Sequence, residues 1–235
     1  MVPSRLTALS VDVHDPARAA RFWADILERE ALAVPDGVLV PGSETQLGLR
    51  FTPSGVPKVG RDQMHLHLNS TSSADQQKTV ETALRLGAGH LDVGQLPEER
   101  HVVLADPAGN ELCVIQPDTS FLAGCGYLAE LTCEGTREVG FFWAEALGWP
   151  IVWDRGPQTA IQSPAGGTKL SWDGPPSPRR GRNRQRFDLT LVDGDPADEV
   201  ARLAAIGATP LGVVADGVVE LADPDGNEFV LRTPE

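Results

Sequence analysis

The sequence repeats itself, and this duplication limits the fold more than any other feature of the chain. Three anchors of the first half return in the same order in the second half, at an offset of about 120 positions. The anchors are FWADIL at 22–27 and FWAEAL at 142–147, LGA at 86–88 and IGA at 206–208, and LADPAGNE at 104–111 and LADPDGNE at 221–228. We therefore predict two related domains, residues 1–118 and 127–235, joined by a linker at 119–126.

Each half contains the pattern strand, helix, strands twice. The first half opens with the alternation Leu9, Val11, Val13, which predicts a strand with one apolar face. Asp15 is a suitable N-cap and Pro16 a suitable first residue for the helix that follows. Short strands interrupted by Pro and Gly come next, and a second strand-helix-strands pattern completes the half. The whole chain is thus predicted to hold four βαβββ units.

The last two strands of each half are joined by Asp-Pro-Ala-Gly-Asn or Asp-Pro-Asp-Gly-Asn. Four βαβββ units with this turn before the last strand of each half resemble the vicinal oxygen chelate superfamily, which includes glyoxalase I, ring-cleaving dioxygenases and bleomycin-resistance proteins. The resemblance implies an α+β fold of two glyoxalase/bleomycin-resistance-like domains with curved mixed sheets and helices on the convex side. It also implies that each pair of units curls its sheet into a cup with a pocket inside.

Strand alternation predicts which side chains would line such a cup. The apolar residues of each strand pack against helices, so the polar residues between them face the opposite side. The predicted inward sets are Ala8, Ser10 and Asp12; Leu128, Glu130 and Thr132; His65, His67 and Asn69; Arg186, Asp188 and Thr190; Glu111, Cys113 and Ile115; and Glu228, Val230 and Arg232. A solvated sheet face would produce the same alternation, and the resemblance favours a ligand cavity.

Metal-using relatives place ligands on the first, middle and last of these strands. The positions corresponding to those ligands are Ala8, His65 and Cys113 in the first half and Leu128, Arg186 and Val230 in the second. Since most of these side chains cannot ligate a metal, we predict neither metal nor cofactor. A rearranged first-half site of His65, His67 and either Cys113 or Glu111 stays as the alternative.

Charge and cysteine content limit the partners. The chain carries 33 acids and 20 bases, a formal charge of −13, which disfavours nucleic acid and anionic membranes. No apolar run has the length needed to cross a bilayer. The odd count of three cysteines, without a Cys-x-x-Cys pair, is typical of reduced thiols, so we expect a cytoplasmic protein. The resemblance implies a monomer with paired halves or a homodimer.

Two further features have alternative interpretations. Trp149, Trp153 and Trp172 lie in the strands of the second half, where they either stack on a planar ligand or fill the core. A basic stretch at 179–186 follows three prolines and is interpreted as a strand connector, with a lid over an anionic ligand as the alternative.

The favoured hypothesis is metal-independent binding, including sequestration, of a small and preferably aromatic organic molecule. The alternative is a lyase, isomerase or dioxygenase-type enzyme of the same superfamily, using the rearranged metal site or a metal-free acid/base pair. A third is a scaffold in which the second half only covers the first. The predicted ligand-binding residues are His65, His67, Glu111, Cys113, Glu130, Trp153, Trp172, Arg186, Asp188 and Arg232. Neither the ligand nor a catalytic residue is assigned.

Overall fold

A computed structural model describes residues 2–96, 98–176 and 181–233. Within these ranges the chain forms four successive units of one strand, one helix and three strands, which confirms the predicted βαβββ repeat. The first two units contain β1 (Ser4–Val13), α1 (Pro16–Leu27), β2 (Leu32–Val34), β3 (Gly37–Val40), β4 (Gly48–Pro53), β5 (Met64–Leu68), α2 (Ser73–Arg85), β6 (Gly89–His90), β7 (Val102–Ala105) and β8 (Glu111–Val114). The last two contain β9 (Leu128–Glu134), α3 (Arg137–Leu147), β10 (Ile151–Arg155), β11 (Gln158–Gln162), β12 (Lys169–Asp173), β13 (Gln185–Leu191), α4 (Pro196–Ala205), β14 (Thr209–Ala215), β15 (Val218–Ala222) and β16 (Glu228–Arg232).

These strands form two eight-stranded mixed sheets, and each sheet takes one unit from each half of the chain. The first sheet has the order β14-β15-β16-β13-β1-β4-β3-β2, and the second has β10-β11-β12-β9-β5-β8-β7-β6. The halves meet where β1 pairs antiparallel with β13 and where β5 pairs antiparallel with β9. This corrects the expectation that the two units of one half share a sheet. All four units carry the same apolar alternation, so the repeat does not specify which unit pairs with which.

The helices begin where the sequence predicts. Asp15 caps α1 by accepting a hydrogen bond from the backbone N–H of Arg18 at 3.0 Å, and Pro16 is the first helical residue. Asp195 and Pro196 begin α4 in the same way. No helix among the described residues is both long and apolar enough to cross a membrane.

One core joins the helix-facing sides of both sheets. It contains alternate residues of β1, β5, β9 and β13, together with the buried faces of α1 and α3. Leu9 of the first sheet and Leu66 of the second both belong to it. The polar residues between these apolar positions are therefore left for the opposite, concave faces, as the alternation predicts.

The opening strand of the third unit departs from its predicted orientation. The sequence predicts Leu128 on the concave face, but Leu128 is buried in the main core, whereas Ala129 packs on the concave side. The cause is an irregularity in the pairing of β5 with β9, where the register shifts between His67 and Leu68. Beyond such a bulge, each side chain points to the face opposite to the one that the alternation predicts, whereas Glu130 and Thr132 keep their predicted orientation.

Candidate functional site

The structure distributes the predicted site residues over two separate concave faces. Those on the second sheet are His65, His67, Cys113, Glu130 and Trp153, and those on the first sheet are Arg186, Asp188 and Arg232. Glu111 and Trp172 lie elsewhere. We describe the second-sheet group first and call it the His67 face.

The centre of the His67 face is a chain of hydrogen bonds across neighbouring strands. His67 stands opposite Glu130 in the β5–β9 register and opposite Cys113 in the β5–β8 register. Its Nδ1 lies 2.7 Å from Oε2 of Glu130. The other oxygen of Glu130 accepts a hydrogen bond from the Ser171 hydroxyl on β12. Four strands thus fix the position and orientation of one imidazole.

The charges of this group follow from its contacts. Burial alone would lower the pKa of His67, but its hydrogen bonds to Cys113 and Glu130, together with the Glu130 charge, raise it to about 9. Burial and the neighbouring His67 charge lower the pKa of His65 to about 4. Burial opposes ionisation of Glu130, yet the His67 contacts hold its pKa below the usual value. At neutral pH the face therefore presents an imidazolium–carboxylate pair beside a neutral imidazole.

Apolar and aromatic side chains border this polar centre. The segment between the two halves forms a 3₁₀ turn at Ser120–Leu122 and packs Leu122 against Cys113 and Ala129. Phe121 of this turn meets the Trp153 ring edge to face, with the ring centroids 5.4 Å apart. Lys169 lies over the Phe121 ring at 4.6 Å. The linker therefore covers one end of the concave face and adds an aromatic wall.

Three side chains of the His67 face could hold a metal ion. One ligand atom each of His65, His67 and Cys113 lies within 4.8 Å of the others. The cysteine of this group differs from the histidine-and-glutamate ligand set that the resemblance implies for metal-using relatives. The first-sheet positions Ala8, Arg186 and Val230 do not fit such a set at all.

The concave face of the first sheet holds a network of ion pairs instead. Asp188 is fully buried and accepts hydrogen bonds from Arg50 at 2.7 Å and Arg232 at 2.8 Å. Arg186 binds Asp12 through both terminal nitrogens, at 2.6 and 3.0 Å. All three predicted site residues of this face are therefore held in ion pairs, Asp188 with Arg232 and Arg50, and Arg186 with Asp12.

The two remaining predicted residues do not line either centre. Trp172 is 2% exposed and packs in the main core, because it stands opposite the core residue Cys133 in the β9–β12 register. Glu111 lies at the start of β8 and accepts a hydrogen bond from the backbone N–H of Asp62 at 3.3 Å. Both have structural contacts of their own.

The part of the basic stretch that the structure describes, residues 181–186, forms ion pairs. Arg182 pairs with Glu220, and Arg184 pairs with Asp62 at 3.2 Å. Arg179 and Arg180 lie outside the described residues, so the interpretation of this stretch as a connector or a lid stays a prediction.

Among the residues of the two faces, sequence reasoning missed Arg50, Lys169, Ser171 and Phe121, and also Asp36, which pairs with Arg50. Arg50 alternates with the apolar Leu49 and Phe51, so the period-two pattern contained a signal for its position. Lys169 likewise precedes the apolar Leu170. Phe121 and Asp36 lie in a linker and a turn, where no period indicates the direction of a side chain.

Two small cavities lie at the seam between the sheets, apart from the His67 face. One is lined by Gln46, Trp149 and Thr168, among others, and the second by Trp23, Phe51 and Gln185, among others. Neither is lined by His65, His67 or Glu130.

Comparison with known proteins agrees with this architecture. The sequence model of a glyoxalase-like domain matches the chain twice, at residues 8–115 and 129–232. Among solved structures, glyoxalase I from Zea mays has a TM-score of 0.67 at 17% identity, covering 98% of this chain and 92% of that one. A putative dioxygenase from Bacillus subtilis subsp. subtilis str. 168 has a TM-score of 0.62 at 15% identity, covering 97% and 84%. Such low identities show the fold alone, and no functionally curated protein matches the sequence.

Proposed function

The chain belongs to the glyoxalase-like domain family, and from this premise we propose that it binds a small organic molecule on the His67 face without a metal ion. The observation that carries the proposal is that the His67–Glu130 pair and the aromatic rings of Trp153 and Phe121 share one face. Lys169 connects them, because it stands opposite Glu130 in the β9–β12 register and lies over the Phe121 ring. Binding pockets for small molecules combine apolar walls with a few fixed polar groups.

The polar centre is suited to orienting a ligand. His67 is held by Glu130, which is itself held by Ser171, so its position is fixed before any ligand arrives. The neutral imidazole of His65, whose ring centroid is 4.9 Å from that of His67, offers a further donor or acceptor. These groups favour a ligand that carries carbonyl, hydroxyl or phenolic oxygen atoms.

The apolar border favours a planar ligand. Trp153 and Phe121 present a large aromatic surface, and aromatic rings stack on flat conjugated molecules. Arg155 lies 4.3 Å from the Trp153 ring centroid and fixes one side of the indole. A planar molecule with oxygen substituents is therefore the ligand class that this face supports best.

Metal independence is supported by the ligand inventory. The first-sheet face has no matching donor set at the family positions, and Leu128, at the first of these positions on the second sheet, has no donor atom.

A metal-dependent lyase, isomerase or dioxygenase-type enzyme is the second candidate. It is favoured by the grouping of His65, His67 and Cys113 and by the carboxylate of Glu130 behind His67, since metal-binding histidines are commonly oriented by a carboxylate on the other ring nitrogen. In that case the metal would supply a Lewis acid that polarises a substrate oxygen.

One experiment separates the two candidates. Purified protein is analysed for bound metal, and its melting temperature is then measured with a panel of planar, oxygen-substituted aromatic compounds, with and without added zinc or cobalt. We expect no stoichiometric metal, and stabilisation by part of the panel without metal. Trp153→Ala should weaken binding of the best compound about ten-fold, a loss of about 1.4 kcal/mol, whereas Trp153→Phe should keep most of it.

The control is Val152→Ala, because Val152 neighbours Trp153 on β10 and is exposed. It should leave the affinity unchanged. One tightly held metal ion per chain, or stabilisation that needs added metal and is lost in Cys113→Ala, would instead support the enzyme. Equal effects of the Trp153→Ala and Val152→Ala substitutions would contradict binding at this face.

A further inference from the structure

A closed ring of two arginines and two aspartates lies on the concave face of the first sheet. Arg50 donates through Nε to Asp188 at 2.7 Å and through Nη1 to Asp36 at 2.8 Å. Arg232 approaches the other oxygen of each carboxylate, with Nε 2.8 Å from Asp188 and Nη2 2.8 Å from Asp36. Each carboxylate therefore bridges both guanidinium groups.

The two carboxylates of the ring are held in different ways. Asp188 lies on the central strand β13, is fully buried and also accepts a hydrogen bond from Ser10 at 3.1 Å. Asp36 lies in the two-residue turn between β2 and β3, and its side chain is 37% exposed. Among the described residues, the recorded polar contacts of the Asp36 side chain are those with Arg50 and Arg232.

The turn that carries Asp36 belongs to the outer edge of the sheet. Strand β2 is the last in the strand order and has three residues, of which Leu32 and Ala33 are exposed. Displacing this turn therefore disturbs few buried contacts. Asp188, in contrast, cannot leave without disrupting the centre of the sheet.

Within this ring, the two arginine charges are balanced by the two aspartate charges. Elsewhere on the face, Arg182 and Arg186 are matched by Asp12 and Glu220. Without Asp36, the ring would hold two guanidinium groups against one carboxylate. The two N–H groups left unpaired, one on Arg50 and one on Arg232, would point to the place that Asp36 occupies. Two N–H groups that converge in this way bind one carboxylate through both of its oxygens.

We propose that Arg50 and Arg232 form a binding site for the carboxylate of a small organic acid, and that Asp36 fills this site when no ligand is present. A ligand carboxylate takes over the two N–H groups, and the turn between β2 and β3 moves outward. The site lies on the first sheet and does not depend on the function proposed for the His67 face. Because Asp36 competes for the site, the affinity of the wild-type protein for a simple acid is the intrinsic affinity multiplied by the fraction of time that Asp36 is away from the site.

Acetate is the probe, because it supplies the carboxylate that Asp36→Ala removes. Binding is measured by isothermal titration calorimetry and by the melting temperature, at constant ionic strength with sodium chloride as the balancing salt. We expect acetate to bind the Asp36→Ala variant at least about ten-fold more tightly than the wild-type protein and to raise its melting temperature. A smaller tightening is expected for Asp36→Asn, whose amide oxygen still accepts a hydrogen bond from an arginine; this variant keeps the side-chain size and serves if the alanine variant fails to fold.

Asp154→Ala is the matched control. Asp154 is an aspartate paired with one arginine, Arg137, at 2.7 Å in an exposed position. Its loss should give no acetate response beyond that of the wild-type protein. Adding Arg232→Gln to Asp36→Ala should abolish the gain. The proposal is overturned if acetate affects the Asp36 variants no more than Asp154→Ala, or if the gain survives the loss of Arg232.

Discussion

At the scale of single residues, one hydrogen bond in each half explains why two of the repeated anchors occur together. Trp23 donates through Nε1 to Asp106 at 2.9 Å, and Trp143 donates to Asp223 at 3.2 Å. Each aspartate also accepts two backbone N–H groups and an asparagine amide of its own turn. The helix anchor and the turn anchor of the sequence are thus the two partners of one buried contact.

The pKa of Asp223 leads to a prediction about pH. Burial raises this pKa from 3.8 to about 6, despite the hydrogen bonds that oppose the rise. The folded protein therefore binds the proton more tightly than the unfolded chain does. This contribution to stability is complete below about pH 4 and is lost as the pH rises through 6, a change of up to about 3 kcal/mol.

We expect the free energy of unfolding of the wild-type protein to fall relative to that of Asp223→Asn as the pH rises from 4 to 7. Urea denaturation of both proteins at four pH values in this range measures the difference. The variant should be less stable throughout, because an amide nitrogen replaces an acceptor of the Trp143 hydrogen bond. Parallel stability curves would show that Asp223 does not titrate in this range.

At the scale of elements, the connection between β3 and β4 fastens the first unit to the third. Thr168 donates its backbone N–H to the carbonyl of Thr45 at 2.8 Å. The Gln46 amide donates to the Cys125 carbonyl at 2.8 Å and accepts from the Leu128 N–H at 3.0 Å. One of these bonds joins two backbone groups, and the other two join the Gln46 side chain to backbone groups.

Two adjacent glycines test this contact. Gly166 and Gly167 both have positive φ, +83° and +90°, so an alanine is strained to a similar extent at either position. A Cβ at 167 would lie 1.6 Å from the Thr45 carbonyl oxygen, whereas a Cβ at 166 would meet nothing within 4 Å. We expect Gly167→Ala to lower the free energy of unfolding by about 2 kcal/mol more than Gly166→Ala, measured by chemical denaturation. Equal losses would mean that Thr45 moves to accommodate the added Cβ without any further loss of stability.

The sequence predicted the elements well because each has a local signal. Asp15 and Pro16 begin a helix, and the alternation in β5 leaves His65 and His67 on the concave side. The bulge before Glu130 has no such signal, so the orientation of Leu128 was wrong. Trp172 was ambiguous because an indole on a strand suits the core and a binding face equally. Asp36 lies in a turn, where no local pattern indicates a role, since its partners Arg50 and Arg232 lie on other strands.

At the scale of the whole molecule, the sheets cross between the sequence halves. Within each half, the two units are tied by a tryptophan–aspartate hydrogen bond, but their central strands pair with the other half. Periodicity and turn chemistry are local, and they do not specify pairing between units that share one pattern. The pairing of each unit with a unit of the other half was therefore the part of the architecture that only the three-dimensional structure could supply.

This crossing predicts how the halves behave when separated. Residues 1–118 alone would expose the edges of β1 and β5, and residues 127–235 alone would expose those of β9 and β13. We expect neither half to be a stable monomer, and we expect the two to form a 1:1 complex when produced together. Size-exclusion chromatography with light scattering measures this. Two well-folded monomeric halves would contradict the crossed pairing.

The duplication in one chain also removes a symmetry constraint. In a homodimer of one such half, every substitution on a strand would occur on both sheets at once. Here β5 carries His65 and His67 where the corresponding β13 carries Arg186 and Asp188, so the two concave faces have diverged in chemistry on a common scaffold. A fused pair can thus specialise one face for imidazole chemistry and the other for guanidinium chemistry, each free to change without altering its counterpart.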